Sequence, residues 1–168
     1  IENACATGSA AVRQGIRAID SKAARTVLVV GVEQMTTVPG PQVQENLVRA
    51  SYMREEADIP AGFAGQFGKI AGAYFQRHGD QTDALARLAA KNHRNGVSNP
   101  YAHMQKDFGF EFCRTESQKN PIVAGPLKRT DCSLVSDGAA AVVLTDVETA
   151  MSMRRAVMFR ANEHVQDF

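Results

Sequence analysis

The spacing of hydrophobic residues predicts the first elements of the chain. Val12, Ile16 and Ile19 recur at intervals of four and three residues, which is typical of one face of a helix spanning about 6–20. The next apolar run, 26–32, is short and rich in β-branched residues, and it predicts a strand covered on both faces. A short extended stub, a helix and a buried strand make a βαβ crossover, so we expect a parallel sheet.

The middle of the chain is predominantly helical. The pattern predicts a short helix around 44–54, a longer helix over about 63–77, and another over about 83–92 with Thr82 as its N-cap. The apolar stripe of the longer helix is formed by Phe63, Phe67, Ile70, Tyr74 and Phe75. These helices are expected to form a long excursion between two strands.

The last part of the chain returns to strand patterns. Small residues followed by β-branched ones predict a strand over 138–145, packed closely against a helix or another sheet. A helix over 146–154 and a further strand over 156–161 are expected to follow. The chain is therefore predicted to be an α/β protein.

Charge and hydropathy exclude several classes of partner. The net charge of +1, from 19 basic and 18 acidic residues, supplies no basic field for nucleic acid. No run of like charges indicates a polybasic membrane patch, and the apolar runs are far shorter than the ~20 residues needed to cross a bilayer. We expect neither a nucleic acid nor a membrane partner.

Cysteine and histidine spacing does not indicate a metal site. The three cysteines are widely separated, and no Cys-x-x-Cys pair is present. No two histidines stand four residues apart, as a helical pair of metal ligands would. A reduced, intracellular and cytoplasmic protein without a metal is the simplest expectation.

Cys5 is the candidate nucleophile. It lies among small residues, Ala4, Ala6 and Gly8, where an extended stretch turns into a helix. Unpaired backbone N–H groups and the helix dipole at this place favour a thiolate over a thiol. The alternative is a buried cysteine used as a small apolar filler, which is the commoner role of a lone cysteine.

Four segments in order resemble the thiolases, especially the branch that includes the sterol-carrier-protein-2-type enzymes. The first is Glu-Asn-Ala-Cys-Ala-Thr-Gly-Ser-Ala-Ala at 2–11, which is similar to their nucleophilic-cysteine segment. The others lie at 29–36, 91–102 and 136–144. The resemblance runs over nearly the whole chain.

The resemblance implies a partial thiolase-like layered fold, with a mixed sheet, helices and a helical loop-domain insertion. Residues 1–36 would be the later part of the N-terminal half, and 37–130 the loop domain. Residues 131–150 would hold the last strand of that half, and 151–168 the start of the C-terminal half. The chain then looks like a central fragment.

The same resemblance implies roles for two residues. Cys5 would carry the acyl group, and Ser133 aligns with a position that touches pantetheine. A cluster at the predicted end of a helix is a further candidate by its chemistry: the cations Lys91 and Arg94 would face the phosphates of coenzyme A, with His93 and Asn95 as hydrogen-bonding partners. The alternative for this cluster is a solvated helix end with cations suited to its dipole.

The implied activity is acyl transfer between coenzyme A thioesters, either thiolysis of a 3-ketoacyl-CoA or condensation of acetyl-CoA, as in fatty acid metabolism. Coenzyme A and acyl-CoA would be substrates, and no cofactor would be permanently bound. The sequence contains no Gly-His-Pro segment, which supplies the activating histidine in thiolases, so we expect residues 1–168 alone to be inactive.

The resemblance further implies a homodimer or tetramer when full length, an OB-fold protein as a partner in some relatives, and a peroxisomal location in eukaryotes. Two other functions stay open. One is a non-catalytic thiolase-like scaffold subunit, and the other is a different condensing enzyme such as a ketoacyl synthase. The Ala-Cys-Ala-Thr-Gly string argues against the synthase.

Overall fold

A computed structural model describes residues 1–165, which form two compact units: 1–34 with 137 onward, and 35–136. The helices are α1 Thr7–Asp20, α2 Gly40–Val48, α3 Met53–Glu56, α4 Gly62–His78, α5 Thr82–Val97, α6 Gly109–Arg114 and α7 Val147–Met151. The strands are β1 Thr26–Glu33, β2 Ile122–Ala124, β3 Leu127–Lys128 and β4 Gly138–Thr145. No helix among the described residues is long and apolar enough to span a membrane.

In the first unit, α1 packs against a two-stranded sheet. Strands β1 and β4 pair antiparallel, from Thr26 opposite Thr145 to Glu33 opposite Gly138. The helix approaches the sheet at Gly15, where a Cβ would lie 2.7 Å from the Leu144 side chain. Only a glycine permits so close an approach without displacing a neighbour.

The prediction that β1 is covered on both faces is wrong for the described chain. Alternate strand residues point to opposite faces, and α1 half-buries only the face that carries Val27 and Val29. On the other face, Leu28 and Val32 are 63% and 73% exposed. That apolar face is open in residues 1–165.

Two further predictions are corrected. The residues ahead of Cys5 form no strand, and the one described partner of β1 is the antiparallel β4, so the expected parallel pair is absent from residues 1–165. Residues 156–161 form no strand either, because they are exposed and lack a pairing partner; Val157 is 98% exposed. The predicted start of the C-terminal half, 151–168, includes 166–168, which lie outside the described residues.

The second unit is built around α5. Three small residues of this helix, Ala86, Ala89 and Ala90, form a buried cluster with Cys113 of α6. The side chain of Asn120, which is fully buried, donates to three carbonyl oxygens at the end of α6 and accepts the Thr130 N–H at 3.0 Å. These hydrogen bonds of Asn120 connect the end of α6 to Thr130, in the segment that leads to Ser133.

The predicted helices of the second unit are confirmed with changed boundaries. The helix expected over 44–54 is two helices, α2 and α3, interrupted by a turn. Helix α5 begins at Thr82 itself, and Asp80, not Thr82, accepts a hydrogen bond there, from the Thr82 N–H at 2.8 Å. Helix α5 also runs on to Val97, so the cluster around His93 lies within it, not at its end.

Candidate functional site

Cys5 is exposed and lies in a 3-10 turn, Ala4–Ala6, that runs directly into α1. Among the described residues its thiol is therefore not packed as an apolar filler. The residue before it, Ala4, has φ of 45°. A left-handed conformation in a residue with a Cβ costs energy, about 1–2 kcal/mol, and persists where neighbouring contacts hold it.

The contacts that hold this turn come from Glu2 and Thr7. The carboxylate of Glu2 accepts the Ala4 N–H at 2.7 Å. The hydroxyl of Thr7 accepts the Asn3 N–H at 2.7 Å and donates to the Ala4 carbonyl oxygen at 2.7 Å. Both peptide groups that flank Ala4 are therefore anchored.

The other candidates lie in the second unit, on or beside α5, and the structure divides them between two concave surfaces. Lys91 and Arg94 line a hollow of about 460 Å³, together with Arg87 and Phe110. His93 and Ser133 line another of about 570 Å³. Asn95 borders both hollows.

The first hollow is the more cationic. Arg87, Lys91 and Arg94 follow one another at intervals of four and three residues, so they share one face of α5. Arg94 also pairs with Asp107 at 3.4 Å, and the Arg87 guanidinium lies 5.9 Å from the centre of the Phe110 ring. Arg87 was not among the sequence candidates, although its spacing from Lys91 and Arg94 carried the signal.

The second hollow combines polar and apolar groups. His93 sets its ring edge-on to Phe108, with ring centres 4.7 Å apart. Beside Ser133, the half-buried Cys132 has its pKa raised, first by burial and then by the charge of Asp131. A raised pKa leaves less thiolate at neutral pH, so the Cys132 thiol is less reactive than one of ordinary pKa.

A buried ion pair supports this hollow. The Lys128 Nζ lies 3.3 Å from Asp131 Oδ2, and the two side chains are 5% and 2% exposed. The same carboxylate accepts the Lys128 N–H at 2.8 Å, which closes the short turn before Cys132. Within residues 1–165, no three histidine, cysteine or acidic side chains are grouped as a metal would need.

Comparison with known proteins places the sequence in a family. The family model described as "Thiolase, N-terminal domain" matches residues 1–148. An acetyl-CoA acetyltransferase from Methanothermobacter thermautotrophicus is 34% identical over 89% of this chain and 38% of its own length. Another, from Methanocaldococcus jannaschii, is 35% identical over 89% of this chain and 37% of its own length.

A third relative is sterol carrier protein 2 of Oryctolagus cuniculus, 28% identical over 100% of this chain and 32% of its own length. The chain therefore spans between 32% and 38% of these three relatives. The match to the family model, 1–148, includes all of the second unit and residues 1–34 and 137–148 of the first.

Proposed function

Because the chain belongs to the thiolase family, we propose that Cys5 is the nucleophile of a thiolase-type acyl transfer between coenzyme A thioesters. The observation that carries the proposal is the exposed thiol at the start of α1, inside the residues matched by the family model. Two relatives named acetyl-CoA acetyltransferase add support for the substrate class.

In the first half-reaction the Cys5 sulfur attacks the thioester carbonyl carbon of an acyl-CoA. A bond from Cys5 sulfur to carbon forms, the bond from carbon to the coenzyme A sulfur breaks, and coenzyme A leaves as a thiol. The proton lost by Cys5 passes through a base to the departing sulfur. We place that base outside residues 1–168, because the sequence has no Gly-His-Pro segment.

The tetrahedral intermediate carries a negative oxygen that needs preorganised donors. The backbone N–H of Cys5 is our candidate for one of them, because it belongs to the turn that begins α1. In condensation, the carbanion of a second acetyl-CoA then attacks the acyl carbon, a carbon–carbon bond forms, and the bond from carbon to the Cys5 sulfur breaks. Thiolysis runs these steps in reverse. Cys5 attacks the 3-keto carbon of a 3-ketoacyl-CoA, the carbon–carbon bond breaks, acetyl-CoA leaves as a carbanion that is then protonated, and coenzyme A takes the acyl group from Cys5.

The second unit is proposed to contact coenzyme A. The hollow lined by His93 and Ser133 combines hydrogen-bonding and apolar groups, which suits pantetheine. The hollow lined by Lys91 and Arg94 offers cations for phosphate oxygens. No cofactor beyond these substrates is part of the proposal.

The wider context of the protein is proposed from the family resemblance. We place the full-length protein in the cytoplasm, or in peroxisomes in a eukaryote, as a homodimer or tetramer in fatty acid metabolism. A small OB-fold protein is the proposed partner.

Steady-state kinetics test the activity. The full-length protein is given acetyl-CoA and a second acyl acceptor, and initial rates are measured while both are varied. Parallel double-reciprocal lines are expected, because an acyl-enzyme separates the two half-reactions. Cys5→Ala should lose turnover, and Gly72→Ala, a control on α4 where a Cβ meets nothing within 4 Å, should retain it. A folded wild-type protein that transfers no acyl group would instead favour the scaffold function.

A further inference from the structure

The peptide group between Ala4 and Cys5 is the centre of a small hydrogen-bond network. A trans peptide is planar, so its C=O and N–H point in opposite directions, and no cis peptide bond occurs among the described residues. Whatever holds the Ala4 carbonyl therefore sets the direction of the Cys5 N–H.

Thr7 holds that carbonyl twice. Its hydroxyl lies 2.7 Å from the Ala4 oxygen, and its backbone N–H donates to the same oxygen. The hydroxyl oxygen also accepts the Asn3 N–H at 2.7 Å, so one side chain bridges both sides of Ala4. The carboxylate of Glu2, at 3.3 Å, is the more distant acceptor for the same hydroxyl.

The bridge made by Thr7 stabilises an unfavourable backbone conformation of Ala4. Its φ of 45° lies in the left-handed region, which a residue with a Cβ enters at a cost. Without the Thr7 hydroxyl, the Ala4 oxygen would keep only the Thr7 N–H, and Ala4 would be less firmly held against relaxing toward a right-handed or extended conformation. The Ala4–Cys5 peptide plane would then rotate, and the Cys5 N–H would turn with it.

We propose that Thr7 is a positioning residue, whose hydroxyl aims the Cys5 N–H at the oxygen of the tetrahedral intermediate. This inference rests on the proposed role of Cys5 as the nucleophile. Thr7 touches neither the substrate nor the reacting sulfur, and acts through the backbone of Ala4.

The test compares two reactions of the same thiol in the full-length protein. Acylation of Cys5 by acetyl-CoA passes through an oxyanion, whereas alkylation by iodoacetamide displaces iodide and forms none. Thr7→Val removes the hydroxyl at nearly constant shape, and Thr7→Ser keeps it. Single-turnover acylation and alkylation rates are measured for each, with acylation followed over a range of acetyl-CoA concentrations.

Thr7→Val should slow acylation at saturating acetyl-CoA by roughly 10- to 100-fold, because a misplaced oxyanion donor is costly. The acetyl-CoA concentration for half-maximal rate and the alkylation rate should stay near the wild-type values. Thr7→Ser should restore most of the acylation rate. If Thr7→Val does not fold, Thr7→Ala removes the same hydroxyl.

If Thr7→Val is acylated at the wild-type rate, the proposal is overturned. A matched fall in both reactions would also overturn it, since the hydroxyl would then maintain the helix start or the thiol itself. A wild-type protein that is alkylated at Cys5 but never acylated would refute the proposed function. If the wild-type protein is acylated at Cys5 and Thr7→Val is acylated at the same rate, only the role of Thr7 is refuted.

Discussion

The three cysteines differ in exposure, and this difference decides their chemistry at the scale of single residues. Cys5 is exposed, Cys132 is half-buried, and Cys113 is fully buried beside α5. Burial raises the pKa of both Cys113 and Cys132. Because the thiolate is the reactive species, the raised pKa makes both thiols less nucleophilic at neutral pH.

Alkylation should follow that order. With iodoacetamide at neutral pH, Cys5 is expected to react first, Cys132 more slowly and Cys113 last, because the reagent needs both access and a thiolate. Peptide mapping at successive times measures the order, and the denatured protein supplies the control. Labelling of Cys132 ahead of Cys5 would contradict the proposal that Cys5 is the reactive thiol.

Asp146 gives a prediction about pH. Hydrogen bonds from Thr149, and then from Arg25, lower the pKa of this carboxyl to about 2. The Thr149 N–H lies 2.7 Å from one carboxylate oxygen, and the Arg25 Nε lies 2.9 Å from the other. The carboxylate thus caps α7 and joins it to the start of β1.

The folded pKa is lower than the unfolded value of about 4, so the contribution of Asp146 is complete above that pH and is lost as pH falls towards 2. Asp146→Asn should therefore lower the melting temperature at pH 6 and matter progressively less below pH 4. Thermal unfolding of wild type and variant across this range measures it. A difference that stays constant down to pH 2 would contradict the role.

At the scale of elements, local patterns predicted most helices and both long strands, and failed where distant residues decide. The strand over 138–145 was predicted with its observed boundaries. Its antiparallel pairing with β1 was not, because that register depends on contacts between residues far apart in sequence. The bridge made by Thr7 was also not predicted. A threonine at a helix start is common, and the sequence does not show the left-handed conformation of Ala4 that this threonine stabilises.

Helix α4 offers a matched pair of glycines. A Cβ at Gly68 would lie 2.9 Å from the backbone of Ala124, whereas one at Gly72 meets nothing within 4 Å. Gly68→Ala is expected to destabilise the full-length protein by about 1–3 kcal/mol through overpacking. Gly72→Ala should be neutral or stabilising by up to about 1 kcal/mol, because alanine is the better helix former.

Chemical denaturation of the two variants measures both changes in the free energy of unfolding. Equal effects would mean that the packing of α4 on β2 does not limit the residue at position 68. A stabilised Gly68→Ala variant would contradict the close approach directly.

At the scale of the whole molecule, the open face of the β1–β4 sheet is the dominant feature. Leu28, Val30 and Val32 of β1 and Val143 of β4 lie on it, each more than half exposed. The outer edges of a two-stranded sheet also leave backbone groups unpaired. Apolar surface of this kind is normally covered in a stable protein.

Residues 1–168 produced alone should therefore fold poorly. We expect binding of the dye ANS, broad thermal unfolding and a tendency to associate, all relieved in the full-length protein. Fluorescence, calorimetry and light scattering of the two forms make the comparison. A monomeric 168-residue chain that unfolds cooperatively and binds no dye would show that the exposed face needs no cover.

In the proposed mechanism, Cys5 carries an acyl group between the two half-reactions. The most direct measurement is mass spectrometry of the full-length protein quenched in acid after brief mixing with acetyl-CoA, followed by peptide mapping. One acetyl group on the peptide that contains Cys5, removed by added coenzyme A and absent from Cys5→Ala, is the predicted result. An unmodified Cys5, or an acetyl group carried by Cys132 instead, would contradict the account.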